Sequence, residues 1–193
     1  MNYKAHSVGG VCSGLAFSIA TMPQENQFLY VSVITASSLL GSLLPDIDEP
    51  NSFIGKKVWL LSKLIKFTTG HRGVFHTLAI VLIFPLIYFL TKDNEIFLKL
   101  SWFPYKNFII GLIIGYLSHL LMDSMTEMGV PLLWPLTKEK ISIMKLRTNR
   151  HEWIAIFLFV LLVIVVAMVK HQEVIKLFAI NLKNSGFISW VFF

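Results

Sequence analysis

The residues of this chain that can do chemistry are imidazoles and carboxylates gathered at the edges of its apolar blocks. His6 precedes the first block. Asp46 and Asp48 lie in Leu44-Pro45-Asp46-Ile47-Asp48-Glu49-Pro50, at the end of the second. His71 and His76 stand in His71-Arg72-Gly73-Val74-Phe75-His76-Thr77, where the third begins. His119 and Asp123 close the fourth, in Gly115-Tyr116-Leu117-Ser118-His119-Leu120-Leu121-Met122-Asp123, with Glu127 just beyond. His119 and Asp123 are i and i+4, so on a helix they share a face and can reach one ion. Asp46 and Asp48, i and i+2 between two prolines, face the same way only in an extended turn. His71 and His76 would diverge on a regular helix, which predicts a bend at Gly73.

Taken singly, each group has a bland reading. The aspartates can end a helix as a solvated cap, His119 can be a hydrogen-bonded bundle histidine, and His71 or His76 can anchor at an interface. His6 can be incidental, and Glu49 and Glu127 solvent-facing. The convergence of four segments is harder to explain that way, because ionisable groups near hydrocarbon are usually paired or hold metal. Imidazole with carboxylate and no thiolate suits Zn²⁺, Mn²⁺ or Fe²⁺. His6, Asp46, Asp48, His71, His76, His119 and Asp123 exceed what one tetrahedral ion needs, so one or two divalent ions are expected. Such a site would activate water and polarise a phosphoryl or carbonyl oxygen. Asp48 or Glu127, whichever is not a ligand, is the candidate general base. Arg72, between two proposed ligands, is the candidate phosphate clamp, its alternative being a topology anchor; Lys57, Arg147 and Arg150 add positive charge for an anionic substrate. Gly9-Gly10 lacks the setting of a dinucleotide fingerprint, and there is no Walker lysine or nucleophile elbow. The single cysteine, Cys12, excludes an internal disulfide and a cysteine-based zinc site, and reads as a packed thiol.

The elements that must position these groups are membrane helices. Of 193 residues, 55% are hydrophobic and 15% charged, with a mean hydropathy of +0.67; a soluble domain carries roughly a quarter charged residues. The whole chain, 1–193, reads as one all-α membrane-embedded domain, a bundle with spans near 8–22, 28–44, 74–90, 108–123 and 153–169. Segment 53–67 sets Trp59, Leu60, Leu61, Leu64 and Phe67 beside Lys56, Lys57, Lys63 and Lys66, which predicts an amphipathic helix on anionic lipid. The stretch 174–193 reads as an interfacial tail, with a sixth span as the alternative. Of the 17 Lys and Arg, 11 fall on the side holding His6 and the loops 45–73 and 124–152, and 6 on the other. The excess predicts that the polar cluster faces the cytoplasm. The net charge of +6 is therefore a topology signal, and no nucleic-acid partner is expected.

Together, Lys4-Ala5-His6, Leu43-Leu44-Pro45-Asp46-Ile47-Asp48, the His71–Thr77 element and Gly115–Asp123 resemble the YdjM-like family of bacterial inner-membrane proteins described as metal-dependent hydrolases. The likeness runs from His6 to about Pro135, and Gly129-Val130 to Trp134-Pro135 also looks like the family's segment after the fourth span. Glu49 departs from the histidine or asparagine that often follows Pro-Asp-x-Asp there. The resemblance implies a metal-dependent hydrolase at the membrane and carries the seven histidines and aspartates across as metal or active-site positions. With the basic neighbours, the expected reaction is hydrolysis of a phosphoester on a lipid or lipid-linked substrate, entering sideways near 53–67. The rival is a metal transporter or carrier; ligands at span ends, and no repeated halves, favour the hydrolase.

Overall fold

A computed structural model describes residues 1–23, 26–69, 74–94 and 104–184. The described elements are helical: α1 (Tyr3–Thr21), α2 (Gln27–Gly41), α3 (Phe53–Lys57), α4 (Trp59–Thr69), α5 (Leu78–Val81), α6 (Ile83–Thr91), α7 (Tyr105–Ser124) and α8 (Glu152–Asn184). Short 3₁₀ turns cover Leu44–Asp48 and Val74–His76. Among the described residues, β pairing is confined to two isolated bridges, Thr126 with Leu146 and Val130 with Ile141. The all-α expectation holds.

Helix α1 packs on α2, α7 and α8, and α2 packs on α7. Small residues make this approach possible, as is usual where helices associate in lipid. A Cβ on Gly115 would stand 1.8 Å from the Ser38 carbonyl oxygen, and one on Gly41 2.2 Å from that of Leu112. Helices α2 and α7 therefore meet backbone to backbone. On the other side the Ser38 hydroxyl donates to the Gly10 carbonyl at 2.7 Å, tying α1 to α2.

Three stretches are long and apolar enough to cross a bilayer: Gln27–Asp48, Tyr105–Ser124 and Glu152–Gln172. They match three of the five expected spans. Helix α1 has 19 residues but is diluted by glycine, serine and His6. The block at 74–90, expected as one span, is a 3₁₀ turn followed by α5 and α6. Pro85 explains the break: it has no N–H for the Val81 carbonyl and its ring crowds that carbonyl, so α5 stops at Val81. The amphipathic segment is two helices, α3 and α4, divided at Val58. The expected tail instead begins as a continuation of α8, unbroken to Asn184; residues 185–193 lie outside the described residues. Trp153, Phe157, Leu161, Ile164, Val165 and Met168 are exposed along α8, the outward apolar surface a bilayer covers.

Candidate metal centre

The fold brings the same end of its main helices together: the starts of α1 and α8, the ends of α2 and α7. Each reactive side chain is fixed there by local structure. Asn2 caps α1 by accepting from the Ala5 N–H at 3.0 Å, and its own N–H donates to Glu152 Oε1 at 2.7 Å; the Asn2 side-chain amide bonds the same carboxylate. This levels the first turn of α1, which carries His6, with the first turn of α8. Asp46 and Asp48 sit in the 3₁₀ turn after α2, which starts at Leu44-Pro45 because proline suits a first helical turn. The Ser52 hydroxyl donates to the Asp46 carbonyl at 2.7 Å and pins that turn. His76 ends the second 3₁₀ turn, held against α7 by the Tyr116 hydroxyl donating to the Phe75 carbonyl. His119 follows Gly115 by one helical turn, and its Nδ1 lies 2.7 Å from the Ser42 carbonyl oxygen. That contact requires the close approach of α2 and α7, and it leaves Nε2 to point into the cluster.

His6, His76, His119 and Asp48 are completely buried and Asp123 nearly so. The Asp46 side chain keeps 20% of its surface exposed. His76 Nε2 is 3.8 Å from Asp46 Oδ1 and 3.8 Å from Asp123 Oδ2. His119 Nε2 is 3.9 Å and 3.7 Å from the same two oxygens. On the far sides of these groups stand three others. Asp48 Oδ2 is 3.5 Å from His76 Nδ1. His6 Nε2 is 3.3 Å from Asp123 Oδ1, which the Met1 amine also reaches at 2.5 Å. The His6 ring stacks on that of His119 with centroids 3.7 Å apart, whereas His76 meets His119 edge to face.

These separations fit a divalent ion. Ligand atoms about 2.1 Å from one zinc at tetrahedral angles stand about 3.4 Å apart. The four contacts among His76, His119, Asp46 and Asp123 are too long for hydrogen bonds and close with a shift of about 0.4 Å. Reactive atoms of His76, His119 and Asp123 lie within 4.8 Å of one another, as do those of His6, Asp46 and His119. His119 Nε2 is buried with no hydrogen-bond partner among the described residues, as a ligand awaiting a cation would be. Asp46 and Asp123 bring two carboxylates to one place, and the Met1 amine on Asp123 supplies one counter-charge.

Other expected residues fall elsewhere. Glu127 is exposed and paired with Arg147 at 3.1 Å. His71 and Arg72, with the bend expected at Gly73, lie outside the described residues. Sequence reasoning passed over Asn2, Glu152 and the Ser42 carbonyl. The Asn2–Glu152 pair spans 150 positions, and a backbone carbonyl carries no residue-type signal; only the helix-capping type of Asn2 was readable.

Fold and site together define a polytopic helical membrane protein with a buried imidazole–carboxylate centre at one end of its bundle. The chain belongs to the YdjM inner membrane protein family, whose profile it matches over residues 1–192. It is 41% identical over 102 residues to the inner membrane protein YdjM of Escherichia coli (strain K12), covering 53% of this chain and 49% of that protein. It is 34% identical over 139 residues to the protein YvsG of Bacillus subtilis (strain 168), covering 71% of this chain and 75% of that one. The chain thus matches about half the length of the E. coli relative. No solved structure matches it.

Proposed function

We propose that this chain is a metal-dependent hydrolase of the bacterial inner membrane, acting on the phosphoester of a lipid or lipid-linked substrate from the cytoplasmic face. The observation that carries the reading is the set of four near-equal contacts, 3.7–3.9 Å, that His76 Nε2 and His119 Nε2 make with Asp46 Oδ1 and Asp123 Oδ2. We assign these four as the ligands of one ion. A divalent ion held there supplies the Lewis acidity and the acidified water that ester hydrolysis needs.

The remaining residues act on that set. Asp48, behind His76, orients its ring and keeps Nε2 turned inward; the Ser42 carbonyl does the same for His119. His6 braces the second oxygen of Asp123, because a ring stacked face to face on His119 aims its nitrogens parallel to that ring rather than at a common point. This narrows the expected seven ligands to four among the described residues, with His71 available as a further one. Arg72, next to His71 in the motif, is assigned the substrate phosphate, and Glu127, bound to Arg147 at the surface, is left out of the reaction.

The test is elemental analysis of the purified chain followed by a lipid-phosphate hydrolysis screen with the metal found. Stoichiometric metal, and phosphate release lost in His76→Ala and Asp46→Ala, is the expected result. A chain that holds no metal at neutral pH, or variants that keep both metal and activity, would sink the reading.

A further inference from the structure

Among the described residues, the centre meets solvent at Asp46, and what lines that side names a ligand class. Asp46 is the single member of the four-group set with appreciable exposure, 20% of its side chain. It faces a cavity of about 310 Å³ lined also by Tyr3, Asn51 and Phe53. A second cavity, about 430 Å³, shares those three residues and ends at Lys56 and Lys57. The Tyr3 and Phe53 rings stack at 5.0 Å between centroids and 11° between planes, forming a wall common to both. Lys57 Nζ stands 5.3 Å over the Phe53 ring. The carboxylate of Glu49, at the inner end, is engaged by Lys66 at 2.7 Å and by the Asn51 side chain at 3.1 Å. The outer cavity is therefore net positive. Past the lysines the exposed surface turns apolar, through Val58, Trp59, Leu60 and Leu61, and from Asn51 to Thr69 the sequence has four lysines and no acidic residue.

We propose that the two cavities are one headgroup site for an anionic phospholipid. Lys56 and Lys57 attract the anionic headgroup at the outer cavity, Asn51 and the Tyr3–Phe53 wall bound it, its phosphate ends in the inner cavity beside Asp46, and the acyl chains leave along Val58–Leu61. This deepens the hydrolase reading and rests on it for the reacting end near Asp46, but lipid capture itself needs neither metal nor turnover.

The experiment measures binding without hydrolysis. The full chain in detergent micelles is titrated with phosphatidylglycerol or phosphatidylcholine of matched acyl chains, and retained lipid is counted by native mass spectrometry. Wild type is expected to prefer phosphatidylglycerol by about tenfold, and Lys56→Gln/Lys57→Gln to bring the ratio close to one. Both lysines are exposed, so the double variant should keep its melting temperature and metal content, and these are measured alongside. An unchanged ratio in a folded double variant overturns the proposal. Displacement of the lipid by millimolar inorganic phosphate would assign recognition to soluble phosphate and overturn the lipid assignment. Lysine-dependent binding without any hydrolysis would remove the hydrolase reading and leave this one standing; hydrolysis with an unaltered KM and ratio in the double variant would do the reverse.

Discussion

His76 turns one ring nitrogen toward Asp48 and the other toward Asp46 and Asp123. Nδ1 is 3.5 Å from Asp48 Oδ2, and Nε2 is 3.8 Å from an oxygen of each of the other two. All of these groups except Asp46 are buried. A carboxylate behind a ligating imidazole fixes its tautomer and raises its basicity, and such partners typically contribute 10–100-fold to metal affinity. Asp48→Asn should keep the shape and lose the charge. Metal affinity by competition with a calibrated chelator should fall by about 10–100-fold, with stoichiometry intact at saturating metal. Complete loss of metal would make Asp48 a ligand; no change would remove its role.

His6 and His119 stack at 3.7 Å, yet they are predicted to behave differently. His119→Ala removes a proposed ligand, held by the Ser42 carbonyl, and should leave the purified protein without stoichiometric metal. His6→Ala removes only a brace on Asp123 Oδ1 and should retain the ion at reduced affinity. Elemental analysis of the two variants side by side decides between them. If His6→Ala is as empty as His119→Ala, the four-group assignment is wrong.

The different placement of those two rings was not legible in the sequence, and the reason is geometric. The i, i+4 spacing of His119 and Asp123 survives translation into structure because both sit on one regular helix, α7. Asp46 and Asp48 lie in a 3₁₀ turn, where a step of two residues changes which side of His76 a carboxylate meets, and residue type says nothing of that choice. Helix limits failed for comparable reasons. Val74–Leu90 reads as one apolar block because composition ignores the missing N–H of Pro85. Lys170, His171 and Gln172 look like an end to α8, but polar residues mark where a helix leaves hydrocarbon, not where it stops. Helix α1 looks like a weak span, and its small residues instead serve close packing against α2, α7 and α8.

That packing makes a stability prediction. A methyl group at Gly115 would meet the Ser38 carbonyl oxygen at 1.8 Å and the Ser42 nitrogen at 2.8 Å. Backbone atoms cannot rotate away, so α7 must move from α2. Gly115→Ala should cost about 1–3 kcal/mol, the usual range for overpacking, read as a lowered melting temperature in detergent. Because His119 is one turn further along and bonded to the Ser42 carbonyl, metal affinity should fall with it. A variant with native stability and native metal affinity would show that the helices are not in backbone contact.

The charge distribution predicts the side of the membrane on which the centre lies, and one probe reads it. Lys57 borders the proposed headgroup site, and Asp93 lies just past the end of α6, at the other end of the bundle; both are exposed. Cys12 is the chain's one cysteine and is buried, so an introduced cysteine reports without background. The 11-to-6 distribution of Lys and Arg predicts Lys57 in the cytoplasm. A membrane-impermeant maleimide should therefore label Asp93→Cys in intact spheroplasts and Lys57→Cys only after lysis. The opposite pattern would place the centre at the periplasmic surface, where its substrate would come from the outer leaflet of the same bilayer.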